Sequence, residues 1–182
     1  MLIIVLIYMF FTSKNPENKQ IASYNFTKSE YTYVSENFYY ECQIIVNGLD
    51  DNAKEEQNIN KDNVSLNYTF DIIPKDKNAT YYDFKVDAIL DTELIAMQLA
   101  PFGEVIKSYG HDDKAPGADI GNGMPTFALS TGSLIFIDQE TFDTIKDNPE
   151  LLKKTIKFDI TWKGGSESTD LPSDNVKVII NE

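Results

Sequence analysis

The sequence predicts a mainly β protein, an antiparallel β-sandwich that is immunoglobulin-like in the broad sense. Three observations carry that expectation. Five separate segments alternate apolar and polar residues with period two, the pattern of strands that turn one face to a core and one to water. Runs rich in Gly, Asn, Asp and Pro separate them and supply turns. The aromatic residues are nearly all Tyr and Phe, 10 and 11 against a single Trp, and both favour strands. At 182 residues the chain buries a sizeable core without needing disulfides or a metal.

The first segment is not of this kind. "MLIIVLIYMFF" is an unbroken apolar run. As a helix it spans roughly 17 Å, short of the ~30 Å hydrocarbon core of a bilayer. It resembles the apolar part of a signal peptide, although no Lys or Arg precedes it and no small-residue cleavage motif follows. Residues 1–12 read as a signal or anchor segment whose start is truncated or misassigned; a core strand is the other reading. The placement of Lys14 and Lys19 on the outer side is not what the positive-inside rule favours. Residues 13–20, "SKNPENKQ", hold Pro, Asn and charge and no apolar residue, and read as a polar linker. Residues 21–182 then form a single β-sandwich domain.

Within that domain "NFYYECQIIV" alternates Phe38, Tyr40, Cys42, Ile44 and Val46 against polar neighbours. "SLNYTFDII" points Leu66, Tyr68, Phe70 and Ile72 inward, and "YYDFKVDAIL" does the same with Tyr82, Phe84, Val86, Ala88 and Leu90. "KTIKFDITWK" aligns Ile156, Phe158, Ile160 and Trp162, which places the lone Trp in the core, and "NVKVIIN" ends the chain with Val176, Val178 and Ile180. Weaker strands are expected at 21–27, 30–35, 94–99, 104–109, 126–130 and 133–137. Segment 48–63 is charged, almost free of apolar residues, and reads as a loop. "KGGSESTD" reads as the turn between the last two strands. One or two short helices are expected near 139–154, started by Asp138 as N-cap and by Asn148-Pro149, since proline suits the first helical position.

Charge and composition exclude several functions. The net charge is −13, with 29 acidic residues against 16 basic ones, and every basic residue is Lys. An Arg-free acidic chain lacks the bidentate fork that grips phosphates, which argues against nucleic acid and nucleotides. One cysteine, Cys42, forms no intrachain disulfide and reads as buried filler. One histidine and one cysteine do not make a zinc site. "GADIGNG" has neither the P-loop nor the dinucleotide order. "LSTGSL", with Ser130 and Ser133, is no nucleophile elbow.

The stretch "KSYGHDDKAPGADIGNGMPTF", residues 107–127, interrupts the alternation. It holds His111 and the acids Asp112, Asp113 and Asp119. Asp carboxylates among glycines are the ligand type that Ca²⁺ takes, and these three are the candidate calcium ligands, but the spacing matches no EF-hand. A solvated loop whose Gly, Pro and Asp serve turns is the simpler reading. The four sequons at Asn25, Asn63, Asn67 and Asn78 are near chance in so Asn-rich a chain.

In outline, an N-terminal anchor, a polar stalk and an Arg-free β-sandwich resemble small uncharacterised anchored extracytoplasmic proteins of low-GC Gram-positive bacteria. The resemblance implies a place outside the cytoplasm, anchored or secreted, and gives no residue a role. The expectation is a non-catalytic binding or interaction domain without a cofactor. Its partner would be a protein or cell-envelope component, with the membrane reached through residues 1–12. Two alternatives stay open. One is a glycan-binding module using exposed rings of the Tyr/Phe-rich stretch that includes Tyr24, Phe26, Tyr31, Tyr33 and Phe38 to Tyr40. The other is a hydrolase centred on His111.

Overall fold

The computed structural model describes residues 26–48, 64–100, 103–108, 115–121, 126–132 and 135–181. In chain order the strands are β1 (Tyr33–Val34), β2 (Phe38–Gly48), β3 (Val64–Pro74), β4 (Tyr81–Ile89), β5 (Val105–Lys107), β6 (Ala118–Ile120), β7 (Phe127–Ser130), β8 (Ile135–Ile137), β9 (Ile156–Trp162), β10 (Gly165–Leu171) and β11 (Val176–Asn181). Two short helices join them, α1 (Thr92–Ala96) and α2 (Gln139–Asp147), the second followed by a 3₁₀ turn at Pro149–Leu152.

The strands form two sheets, consistent with the expected sandwich. In the first, β2 and β3 pair antiparallel along their full length; β1 and β11 share the far edge of β2, and β7 and β8 share the far edge of β3. β1 runs antiparallel to β2 and β11 runs parallel to it, Val176 beside Cys42 through Asn181 beside Asn47. The second sheet has the order β10-β9-β4, with β5 and β6 sharing the far edge of β4.

The period-two pattern points the residues as expected. Phe38, Tyr40, Cys42, Ile44 and Val46 from β2 and Leu66, Tyr68, Phe70 and Ile72 from β3 are buried, as are Phe84, Val86 and Ala88 from β4 and Ile156, Phe158 and Ile160 from β9. Rings fill the space between the sheets: Phe158 stands 5.1 Å from Tyr40 and 5.2 Å from Phe70, the second contact edge-on, the geometry aromatic quadrupoles favour. On α2, Asp138 accepts from Thr141 N at 2.7 Å, and Phe142 and Ile145 face the core.

Four expectations need correction. Tyr82 is exposed rather than inward. A register break between Tyr81 and Phe84, with Asp83 at φ 52°, inserts an extra residue and turns Tyr82 outward. Residues 94–99 are not a strand, because Asp91 accepts from Glu93 N and starts helix α1, which buries Leu94. "KGGSESTD" is mostly strand β10, and the turn is only Lys163-Gly164, with Gly164 at φ 98°. Trp162 sits at the margin of the core, half-buried, edge-on to Phe38 and Tyr81. A Cβ on Gly165 would fall 2.6 Å from its ring, so any larger residue there would push the indole out of its place. The expected strand at 21–27 lies largely outside the described residues, as do residues 49–63 of the expected loop.

Candidate binding surface

The edges of the two sheets differ, and the difference follows from sequence. β7 and β8 have four and three residues and are separated by Gly132 at φ 58°. Leu99 N also caps β8, donating to Phe136 O at 2.8 Å. β5 and β6 have three residues each; β6 spans the bulge at Asp83, and β5 pairs only with Asp87 to Ile89. Short, interrupted strands make poor templates for further pairing.

β10 is long but protected by its side chains. Glu167 and Thr169 share the inward face with Ile160 and Phe158 of β9. The Glu167 carboxylate accepts from Asn37 N at 2.9 Å, Asn37 Nδ2 at 2.8 Å, Tyr40 Oη at 3.1 Å and the Ser35 hydroxyl. Beside it the Tyr33 and Thr169 hydroxyls are 3.0 Å apart. One acid on the second sheet thus fastens the β1–β2 turn of the first. Burial, and then the charge of Glu167, push the Tyr40 hydroxyl well above the ordinary phenol range, so it stays a donor. Sequence reasoning missed Glu167, because a strand of Ser, Glu, Thr and Asp shows no apolar alternation.

β11 has neither form of protection. It is six residues, "VKVIIN", with four β-branched aliphatics, one Lys, and no Gly or Pro. Among the described residues it pairs with β2 alone. Val178 and Ile180 are half-buried against the core, and Ile179 lies on the outer face beside Ile45. About half of such an edge strand's N–H and C=O groups point away from its neighbour and stay available to another strand.

The outer face of the first sheet carries a second feature. Glu41 and Asp71 stand directly opposite on β2 and β3. Glu41 accepts from Ser29 Oγ at 2.8 Å and from the Thr32 hydroxyl, strapping residues 29–32 across the sheet, while Phe26 stacks on Tyr39 at 5.3 Å. Burial, and next the Glu41 charge, hold Asp71 above the usual carboxylate range. Because its folded pKa is raised, Asp71 favours folding at low pH and opposes it as pH rises through that value. Asp71→Asn is therefore expected to stabilise the fold at pH 7 by roughly 0.2–1 kcal/mol, the scale of a cross-strand pair. The gain should vanish below about pH 4, where the unfolded carboxyl is protonated too. Urea titrations at both pH values measure it; an equal gain at both would remove the charge explanation.

Of the candidate site residues, the described ones include Asp119, Ser130 and Cys42. Asp119 is exposed on β6 and accepts from Asp83 N at 3.0 Å, while Asp83 Oδ1 accepts from Gly117 N at 2.6 Å. That exchange locks β6 onto the bulge of β4 and occupies one Asp119 oxygen. His111, Asp112, Asp113 and Ser133 lie outside the described residues, as do Tyr24 and residues 1–12. Among the described residues no cluster of acids, His and Cys is placed to hold a metal, and no helix is long and apolar enough to cross a membrane. Ser130 donates to Asn67 Oδ1 at 3.0 Å. Cys42 is core, its thiol pushed up by burial. Tyr82 is the one exposed ring among the described residues, since Phe38 and Tyr40 are buried and Phe26, Tyr31, Tyr33 and Tyr39 half-buried. A shallow cleft of about 230 Å³ lies between Met97, Ile145 and Leu151, rimmed by Asp138 and Glu140.

Fold and surface together define a class: a two-sheet β domain with a ring-filled interior and an apolar strand, β11, that among the described residues pairs on one side only. No family model and no curated protein matches the sequence. Among solved structures the chain is similar to the ligand binding region of serine-glutamate repeat protein A (SgrA) of Enterococcus faecium. The identity is 14%, over 62% of this chain and 82% of that one, with a TM-score of 0.30. That likeness assigns no residue a role.

Proposed function

We propose that this chain is a non-catalytic binding domain of an extracytoplasmic protein, anchored or released through residues 1–12, whose partner is another protein or a cell-envelope component. The edge strand β11, paired with β2 alone among the described residues, is the observation that carries this reading. Rings fill the interior, so a ligand meets the surface, and among the described residues β11 is the edge strand that presents both backbone groups and apolar side chains. The acidic, Arg-free composition points the same way, away from nucleic acid.

A photo-crosslinking residue at position 179, in the full chain expressed in intact cells, tests the proposal. Irradiation is expected to give discrete higher-mass adducts that an externally added protease degrades without lysis. The same residue at position 150, on the exposed 3₁₀ turn, is expected to give none. Adducts of equal yield at both positions, or none at 179, would defeat it.

A further inference from the structure

The geometry points to a saccharide-binding site on the outer face of the second sheet, with the Tyr82 ring as its platform. It lies on the other sheet from β11 and does not depend on that edge. Tyr82 is 54% exposed, and the bulge at Asp83 is what turns it to solvent. Bulges re-aim side chains and gather beside binding sites. A non-glycine residue at φ 52° persists only where its surroundings hold it there. Here they do. Asp83 Oδ1 accepts from Gly117 N at 2.6 Å, and Asp83 N donates to Asp119 Oδ1 at 3.0 Å. A Cβ on Gly117 would lie 2.5 Å from the Asp83 carbonyl carbon, so a side chain there would collide with the backbone of the bulge. What this locked turn delivers to the surface is the ring of Tyr82.

The neighbouring strands set a charge on either side of that ring. On β6, Ile120 pairs with Tyr81 and Ala118 with Phe84, which puts Asp119 opposite Tyr82 and Asp83. Ile120 is buried and Asp119 is exposed. One Asp119 oxygen takes Asp83 N, and the other accepts no hydrogen bond among the described residues. Towards β9, Lys163 N donates to Tyr82 O at 2.8 Å. Lys163 continues the outward series of Lys157, Asp159 and Thr161. It is exposed, and among the described residues it enters no ion pair. The ring thus lies between an anionic acceptor and a cationic donor.

Each of these properties selects the ligand. A flat aromatic ring takes a flat apolar face, and a few placed polar groups beside it fix orientation. The Asp119 oxygen needs a donor and the Lys163 ammonium needs an acceptor; a hydroxyl is both. The two charges cancel, so a charged ligand meets one repulsive neighbour for each attractive one. An anion is also repelled by the chain's net −13. An ammonium ligand, which ring and carboxylate would favour, is opposed by Lys163. A neutral pyranose has a C–H face to lay on Tyr82 and hydroxyls around its rim to reach Asp119 and Lys163.

Saturation-transfer NMR on the full chain tests the site, with the neutral trisaccharides of glucose, galactose, mannose and N-acetylglucosamine as probes. At least one is expected to receive saturation from the protein, strongest at its ring C–H protons, with a millimolar dissociation constant. Tyr82→Ala is expected to weaken that binding about tenfold, the scale of removing a central aromatic contact. Tyr82→Phe should keep it, since the ring and not its hydroxyl is the platform. Lys163→Gln and Asp119→Asn are expected to weaken binding without abolishing it; the Asn retains a carbonyl oxygen for Asp83 N. Thermal unfolding of Tyr82→Ala should match that of the parent chain, because the side chain is exposed. Saturation of none of the four sugars, or equal binding by Tyr82→Ala, would overturn the inference. Tetramethylammonium bound in place of every sugar, and lost in Tyr82→Ala, would assign the ring to a cation instead.

Discussion

Glu167→Ala is expected to lower the unfolding free energy by about 3 kcal/mol, since hydrogen bonds to a charged group contribute roughly 1.5–3 kcal/mol each and are not additive. The loss strands the Asn37 N–H and the Tyr40 hydroxyl between the sheets, where the buried Tyr40 ring keeps water at a distance. Glu167→Gln is expected to recover only part of this. One of its two terminal atoms becomes a donor and meets the donors on Ser35, Asn37 or Tyr40. Urea denaturation of both variants measures the difference. Hydrogen exchange should show faster exchange at Tyr33 and Val34, because β1 is held by two residue pairs and this clasp. A change below about 0.5 kcal/mol for Glu167→Ala, the scale of an ordinary surface substitution, would mean that the carboxylate holds nothing.

Phe158→Ala is expected to cost more, about 3–5 kcal/mol, as for other fully buried large rings. Phe158 is inaccessible to solvent and touches rings from the two central strands of the facing sheet, Tyr40 on β2 and Phe70 on β3. Its removal opens a void that neither neighbour fills without leaving its own packing. Thermal unfolding should shift down by roughly 10 °C, given about 2–4 °C per kcal/mol for a domain of this size. Trp162→Ala supplies the contrast. That indole is larger but lies at the margin, half-buried, so its loss should cost less than that of Phe158. The reverse order would place the mechanical centre of the core at the Gly165 end.

The five alternating segments revealed the core because a half-buried strand needs apolar residues on one face only, and that need is written directly at period two. Phe38 to Val46 and Leu66 to Ile72 were legible for this reason. What alternation does not register is an inward face made of polar groups. β10 turns Glu167 and Thr169 inward, and both are satisfied by groups on β1 and the β1–β2 turn that lie more than a hundred residues away in sequence. No local pattern announces such a strand. Tyr82 fails for a related reason. A one-residue bulge at Asp83 reverses every side chain before it, and an Asp at φ 52° is a tolerated but unsignalled exception. α1 is only five residues, and its Asp91 cap competes with a short apolar run that reads equally well as a strand. The proposed binding edge was half legible. "NVKVIIN" was recognisable as a strand, whereas its place on an edge comes from the parallel pairing with β2, a property of the whole fold.

That parallel pairing also decides how the domain bears a load. β1 lies against the beginning of β2, at Tyr39 and Tyr40, whereas β11 ends beside Asn47 near the other end of the same strand. The two ends of the described chain therefore leave from opposite ends of one sheet. A pull that separates them drags β11 lengthwise along β2, so the bonds between the six paired residues are strained together instead of opening one by one. Forced unfolding is governed by the unfolding rate, and here the barrier is set by simultaneous rupture. In single-molecule stretching from residues 26 and 181, the domain should resist more force than when pulled from residue 163, at the β9–β10 hairpin, and 181. Equal forces in the two geometries would contradict it. Were the proposed partner bound on β11, a pull along that axis would load the same six pairs and leave the rest of the fold in place.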